Sequence, residues 1–270
     1  MSADDDATEN DMDPQVQLAA GLAQVWLIDS RTRPPWRWSE QLDPIEAWMA
    51  SQISSVARIE AHRAARCWTR QLLGLGLEIP GDAVRFVRRE GGKPELPAVG
   101  SRPAALRFNY SHTDGYVACA LARGADVGVD IERVVAMPEL ADMLQFVLHA
   151  QEARTPDLLG RSDDPLDFFF RVWTAKEALL KATGHGLSVG LQQIALRDAG
   201  PQALELAIAP AALEPWLGTR IEQGFLALPD SRYAYAAALL QAGARYDVRH
   251  IPFQEGSSAP TQEDDACACA

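Results

Sequence analysis

Lysine is nearly missing from this sequence. Of its 25 basic residues in 270 positions, three are lysine: Lys93, Lys176 and Lys181. Elsewhere a plain positive charge is supplied by arginine, whose planar fork does not imitate the compact, flexible lysine ammonium. The three also keep company with other polar chemistry, in GGKPEL (91–96) and WTAKEALLKATG (173–184). Either three positions cluster by chance, or they mark anions that need a point charge.

Other absences narrow the function. No apolar run reaches 18 residues and no secretory leader is evident, so the expectation is a soluble, cytoplasmic protein. Cys67, Cys119, Cys267 and Cys269 have neither metal-ligand spacing nor the look of a disulfide framework; the first two read as small core residues. His62, His112, His149, His185 and His250 are scattered, which argues against zinc. There is no Walker A sequence, and the glycines of GHGLSVG (184–190) are wrongly spaced for a dinucleotide fingerprint. Without a G-x-S-x-G elbow, the serine, histidine and aspartate of FNYSHTDG (108–115) are poor candidates for a hydrolytic triad.

The net charge of −12 resides at the ends. Six acids and no base occupy 1–13, and four acids and no base occupy 254–270, so the body carries −2. Both ends are poor in large apolar groups and read as disordered acidic tails. Within the body, Arg58 to Arg107 holds ten bases against five acids. Such a span suits an anionic small molecule or an acidic protein; nucleic acid fits less well, because acids interrupt the arginines and no nucleic-acid motif accompanies them.

Periodicity gives a coarse layout. VQLAAGLAQVWLID (16–29) ends as a strand, and 44–73 follows a helical rhythm that Gly74 and Gly76 close. A strand at 83–88 precedes the GGKPEL turn, and two paired strands cross 106–122. VGVDIE (127–132) is another strand, followed by helices at 139–160 and 166–183 and strand-like runs at 193–197, 204–208, 221–228 and 233–240. The strands after 190 are not separated by helices, which argues against an alternating parallel layout. The halves carry similar menus, with a boundary near Gly124–Asp126: an N-terminal subdomain at 14–125 and a C-terminal one at 126–253. Trp36 and Trp38 of RPPWRW read as core.

Two segments carry paired carboxylates. In a strand, residues two apart share a face, so Val127, Val129 and Ile131 point inward while Asp130 and Glu132 project together. Such a pair is either a solvated face or a cation site. In WTAKEALLKATG, Thr174 and Glu177 fit a capping box, Glu177 and Lys181 an i,i+4 ion pair, and Gly184 a helix stop. A third carboxylate from Glu177 would suit Mg²⁺, which completes its shell with water and substrate phosphate.

The segments together resemble the 4'-phosphopantetheinyl transferase superfamily, specifically the monomeric surfactin-synthetase-activating type. GGKPEL is similar to its G-K-P turn, FNYSH to F-N-x-S-H, VGVDIE to G-[IV]-D-[IVL]-E, and FFFRVWTAKEALLKATGHGL to F-x-x-x-W-x-x-K-E-x-x-x-K-x-x-G-x-G-L. The resemblance implies an α+β pseudo-dimer of two similar α/β subdomains with the active site between them. It implies Mg²⁺-dependent transfer of the 4'-phosphopantetheine arm of coenzyme A to a serine of an apo acyl or peptidyl carrier protein, releasing 3',5'-ADP. Asp130, Glu132 and Glu177 would hold the metal, and Lys181 with Lys176 the pyrophosphate. Ser111 and His112 would take the 3'-phosphate, with Lys93 and Pro94 lining the nucleotide site. FVLHAQE (146–152) resembles F-F-S-x-x-E and makes Glu152 the general base, although Leu148 and His149 depart from the pattern. Of Arg63, Arg66 and Arg70, the basic helix that meets coenzyme A, Arg63 and Arg70 are preferred. The alternative is a catalytically silent carrier-binding module, which would have no need of the metal set. No nucleic-acid or membrane partner is expected.

Overall fold

A computed structural model describes residues 15–32, 44–88, 92–98, 105–154 and 164–253. The acidic tails, Trp36, Trp38, Cys267 and Cys269 lie outside them. One sheet holds, in order, Arg245–Ile251 (β11), Leu22–Asp29 (β1), Tyr116–Arg123 (β5) and Leu106–Thr113 (β4). In it β1 runs parallel to β11 and antiparallel to β5, which pairs antiparallel with β4. The second sheet is antiparallel, formed in order by β6 (Val127–Arg133), β10 (Ser231–Leu239), β9 (Arg220–Leu228), β8 (Ala203–Ile208) and β7 (Ala195–Asp198). A short ladder joins β2 (Val87–Arg88) to β3 (Pro94–Glu95). The fold is therefore mixed α+β, as the strand and helix order implies.

Alternation along the strands sorts the core into layers. Val25 and Leu27 of β1 meet Ala118, Ala120 and Ala122 of β5, and Val127, Val129 and Ile131 of β6, between the two sheets. The opposite face of β1 and β5, with Trp26, Ile28, Val117 and Leu121, packs on α2 (Val56–Leu77). The outer face of the second sheet packs on α5 (Pro165–Thr183) through Phe169, Val172, Leu179 and Leu180. The result is helix, sheet, sheet, helix. The connection at Gly124–Asp126 carries the chain from one sheet to the other, and β11 returns to the first.

Several boundaries differ from the periodic reading. The expected helix over 44–73 is two: α1 (Pro44–Ser51) and α2, separated at Gln52–Ser55. Ser55 is extended and its Oγ accepts from the Arg58 amide, an N-cap that starts α2 afresh. Gly74 does not end α2, which runs on to Leu77. Its missing side chain makes room for the chain to fold back over the helix end, since a Cβ there would stand 2.7 Å from the Ile79 carbonyl oxygen. The helix expected over 139–160 is described as α3 (Leu140–Val147) and α4 (Ala150–Arg154), with a break at Leu148–His149. Thr174 does not cap a helix. It lies within α5, with its hydroxyl donating to the Phe170 carbonyl, while Asp164 caps the helix ahead of Pro165.

The backbone of α5 lies directly against β6. A Cβ on Gly128 would stand 2.0 Å from the Ala178 carbonyl oxygen and 2.3 Å from the Ala182 amide nitrogen, both backbone atoms of the helix. Only glycine permits that approach. Gly128→Ala is expected to lower stability in urea titration by more than about 2 kcal/mol, the upper part of the usual overpacking range, because backbone rather than a flexible side chain must yield. An unchanged midpoint would show that α5 can retreat freely.

Candidate active site

The site begins where the edges of the two sheets adjoin. β4 and β6 are not paired strands, and alternate side chains of β4 supply the bonds a ladder would have made. The Asn109 side-chain oxygen accepts from the Val129 amide at 2.9 Å, and Ser111 Oγ donates to Asp130 Oδ1 at 2.8 Å. Thr113 Oγ1 donates to Glu132 Oε2 at 3.4 Å and accepts from the Arg133 amide at 3.3 Å. The intervening residues Phe108, Tyr110 and His112 face α2 instead. One strand thus serves both walls of a cleft.

On the β6 wall, Gly128, Asp130 and Glu132 share the face that meets α5. Lys181 reaches Asp130 Oδ1 at 2.6 Å and Ser111 Oγ at 3.0 Å, so this lysine binds the strand carboxylate rather than its helical neighbour Glu177. Burial raises the pKa of Glu177; Lys181 opposes the rise and Asp130 adds to it. Glu132 is pushed up to about 7, first by burial and then by the charge of Asp130. Asp130 Oδ2 and Glu177 Oε1 are buried and have no hydrogen-bond partner among the described residues. Among those residues no three His, Cys, Asp or Glu side chains already stand as a closed metal cage. The donor chemistry nonetheless fits a hard divalent cation: the charge of Asp130 acts on both Glu132 and Glu177, and Asp130 and Glu177 each keep a buried oxygen with no partner among the described residues.

The opposite wall is cationic. His112 Nε2 lies 3.3 Å from His62 Nδ1 of α2, with the rings edge to face at 5.2 Å. The Arg66 guanidinium rests 4.3 Å over the Tyr110 ring. A cavity of about 290 Å³ is lined by His62, Arg66, Arg88, Pro94, His112 and Lys181, among others. A larger one of about 480 Å³ adjoins it across His112 and extends past Arg58 and Thr113 to Glu132. Burial lowers the His112 pKa from its ordinary 6.5 to about 3, helped by His62, Arg66, Lys181 and Arg58. An anion entering this space meets an excess of donors and positive charge beside a carboxylate cluster.

The structure brings together Asp130, Glu132, Glu177, Lys181, Ser111, His112 and Pro94. It separates others. Lys93 donates to the carbonyls of Val127 at 3.3 Å and Ala182 at 3.1 Å, tying the start of β6 to the end of α5. Arg63 is exposed on the solvent side, 3.4 Å from Glu60. Arg70 is held by both oxygens of the buried Glu46, at 3.1 and 3.0 Å. The helix arginine that lines the cleft is Arg66, which spacing alone does not favour. Its signal is the four-residue step from His62, which sets both on one helix face. Arg58, Arg88 and Thr113 also line the cavities, and no motif in the sequence points to them.

Lys176 and Glu152 require correction. Both are 0% exposed and face each other at 2.6 Å in the core, away from the cavity linings. The Lys176 ammonium also donates to the carbonyls of Val147, Leu191 and Ile194. Glu152 accepts from the amides of His149 and Leu196. Together they fasten α5 to the α3–α4 break and to the chain entering β7.

A family model for the 4'-phosphopantetheinyl transferase superfamily matches residues 126–237. The 4'-phosphopantetheinyl transferase HetI of Nostoc sp. is 30% identical over 211 residues, 74% of this chain and 85% of that protein. The chain belongs to this superfamily. The Bacillus subtilis 4'-phosphopantetheinyl transferase is 31% identical over 134 residues, 48% of this chain and 55% of its own length. The human L-aminoadipate-semialdehyde dehydrogenase-phosphopantetheinyl transferase is 29% identical over 171 residues, covering 61% of this chain and 55% of the relative. The chain thus spans little more than half the length of several of these superfamily relatives. The matched segment contains all three cleft carboxylates and Lys181.

The buried pair and the half-buried His112 each give a measurable outcome. Lys176→Met strands a buried carboxylate and should destabilise the protein by roughly 3–5 kcal/mol in denaturant titration, whereas Lys176→Met with Glu152→Leu should recover part of the loss. The second outcome concerns pH. Unfolded His112 takes up a proton near 6.5 while the folded residue stays neutral until about 3. Its contribution to stability is full above 6.5 and is lost as pH falls through that window. His112→Asn should flatten the pH dependence of stability between those values by up to roughly 1.4 kcal/mol per pH unit. The raised Glu132 acts in the opposite sense, its contribution fading as pH rises from 4.5 to about 7, so the comparison is between variant and parent at each pH.

Proposed function

We propose that this protein transfers the 4'-phosphopantetheine arm of coenzyme A to a serine of an apo acyl or peptidyl carrier protein, with Mg²⁺, releasing 3',5'-ADP. One observation carries the reading: a carboxylate trio, with Asp130 buried and Glu132 and Glu177 half-buried, stands with Lys181 beside a cation-lined cleft, on the segment that matches the superfamily. Asp130, Glu132 and Glu177 would hold Mg²⁺, which when bound would offset charge on the pyrophosphate. Lys181 lies between Asp130 and Ser111, within reach of the same phosphates. Ser111, His112 and the neighbouring Arg66 suit the 3'-phosphate, and Pro94 the nucleotide.

In the transfer, the carrier serine oxygen forms a bond to the β-phosphorus while the bond to the α-phosphate oxygen breaks, and 3',5'-ADP departs with that bond's electron pair. The serine proton passes to a base within hydrogen-bond reach. Glu152 is engaged with Lys176 and two amides, so a group other than Glu152 must take that proton. In this reading two helix-on-sheet halves, 14–125 and 126–253, form a pseudo-dimer around the site, and β11 packs back on the first half. The enzyme is taken to be monomeric and cytoplasmic. A silent carrier-binding module of the same fold is the alternative; the complete set Asp130, Glu132, Glu177 and Lys181 speaks against it.

The test is to combine the protein with coenzyme A, Mg²⁺ and apo carrier proteins of several classes and weigh the carriers. A mass gain of one phosphopantetheine is expected, and a chelator should suppress it. Glu177→Ala should cost on the order of 100-fold or more in rate, beyond what an outer partner of a metal site costs, with the denaturation midpoint retained. If no carrier gains mass, the transferase reading fails.

A further inference from the structure

Glu46 is a deeply buried carboxylate outside the reacting trio, and its surroundings are unusual. It comes from α1, 2% exposed, and stands between two arginines of α2 one turn apart. Its oxygens lie 3.1 and 3.0 Å from Arg70 Nη2, and Oε1 is 3.5 Å from Arg66 Nε. Arg66 is itself 3% exposed, packed on the Tyr110 ring, and lines the cavity that His62, His112 and Lys181 share. Arg70 lies over the Phe86 ring at 4.7 Å and lines neither cavity. One carboxylate therefore separates two guanidinium groups that would otherwise repel, and sends one of them to the cleft.

We propose that Glu46 is the positioning residue of the cleft's anion subsite: it fixes the Arg66 guanidinium beside His112, where Arg66 binds the 3'-phosphate of coenzyme A. The inference rests on the transferase reading for the identity of that anion. A long arginine side chain loses much rotamer freedom on ordering, and an anchor on its rear edge leaves less to lose when phosphate arrives. A guanidinium also has donors enough to engage a carboxylate on one edge and a phosphate on another. Charge alone argues the other way. Glu46 with its two arginines carries a net charge of one, and neutralising the carboxylate would raise the local positive charge and tighten binding of any anion. The two effects differ in sign, so the measurement decides between them.

The probe is 3',5'-ADP, titrated calorimetrically into the full-length protein. Glu46→Gln should weaken binding about tenfold, the order expected when a charge-assisted contact loses its geometry. Arg66→Gln should weaken it similarly, and the double variant should bind no worse than Arg66→Gln alone, because Glu46 acts through that side chain. Glu46→Asp, which keeps the charge, should recover part of the affinity. Unchanged or tighter binding in Glu46→Gln overturns the proposal, as does full additivity in the double variant. If Glu46→Gln does not fold, Glu46→Asp decides: its shorter arm should weaken binding relative to the parent, and parental affinity there would sink the idea. In transfer assays the same substitutions should raise KM for coenzyme A with kcat little changed. Failure of the parent protein to bind 3',5'-ADP would overturn the coenzyme A reading itself, and the subsite with it.

Discussion

The cleft depends on how closely α5 lies against β6. With Gly128 beneath Ala178 and Ala182, the helix backbone rests on the strand with no side chain between them. That approach brings Lys181 to 2.6 Å from Asp130 and places Glu177 within the field of both. A helix one methyl group farther out would separate the carboxylates from their cation, and each would then face its burial cost alone. Two further contacts hold the helix at that depth. Lys93 joins Ala182 to Val127 at one end, and Lys176 ties the middle to the α3–α4 break. Packing and electrostatics therefore reinforce one geometry.

The second constraint is the seam between the sheets. β4 and β6 are edge strands, and edges with free backbone groups invite foreign pairing. Here Asn109, Ser111 and Thr113 cover the seam with side-chain bonds, and two of those bonds go to the carboxylates Asp130 and Glu132. A structural need and a chemical one are met by the same three residues. Because strand side chains alternate, the residues between them turn toward α2, and His112 meets His62 and the Arg66 wall. The cleft carries opposite charge on its two sides as a consequence of one strand's pleat.

Much of this is readable in the sequence. The alternation in VGVDIE puts Val127, Val129 and Ile131 inward and Asp130 with Glu132 together, as the two-residue period requires. Other features are out of its reach. Nothing local in 245–251 announces that the strand will return parallel to β1 from the far end of the chain. Ser54 and Ser55 interrupt a helical rhythm that the apolar positions continue across. The assignment of Lys176 to substrate is a different kind of error. Successive helical residues are about 100° apart, so Lys176 cannot share the face of Glu177. Val172, Leu179 and Leu180 lie three or four residues from it and Phe169 seven, which sets this lysine inside the apolar stripe.

That stripe explains why the few lysines stand where they do. An ammonium offers three donors in a compact tetrahedron, and a guanidinium spreads five over a plane. Lys176 meets three carbonyls and one carboxylate oxygen at close range within a fully enclosed space, an arrangement no planar fork satisfies. Lys93 bridges two carbonyls, one of them in the last turn of α5, where the helix dipole favours a cation. Only Lys181 serves a carboxylate and a hydroxyl at the mouth of the cleft, partly exposed and able to exchange partners. Scarcity of lysine in this chain thus reflects two uses of a point charge: two ammonium groups that bind the protein to itself, and one placed to meet an anion from outside. The arginines take the complementary part. At Arg66 the flat guanidinium stacks on Tyr110 and borders Glu46, a geometry that needs a plane with donors on separate edges.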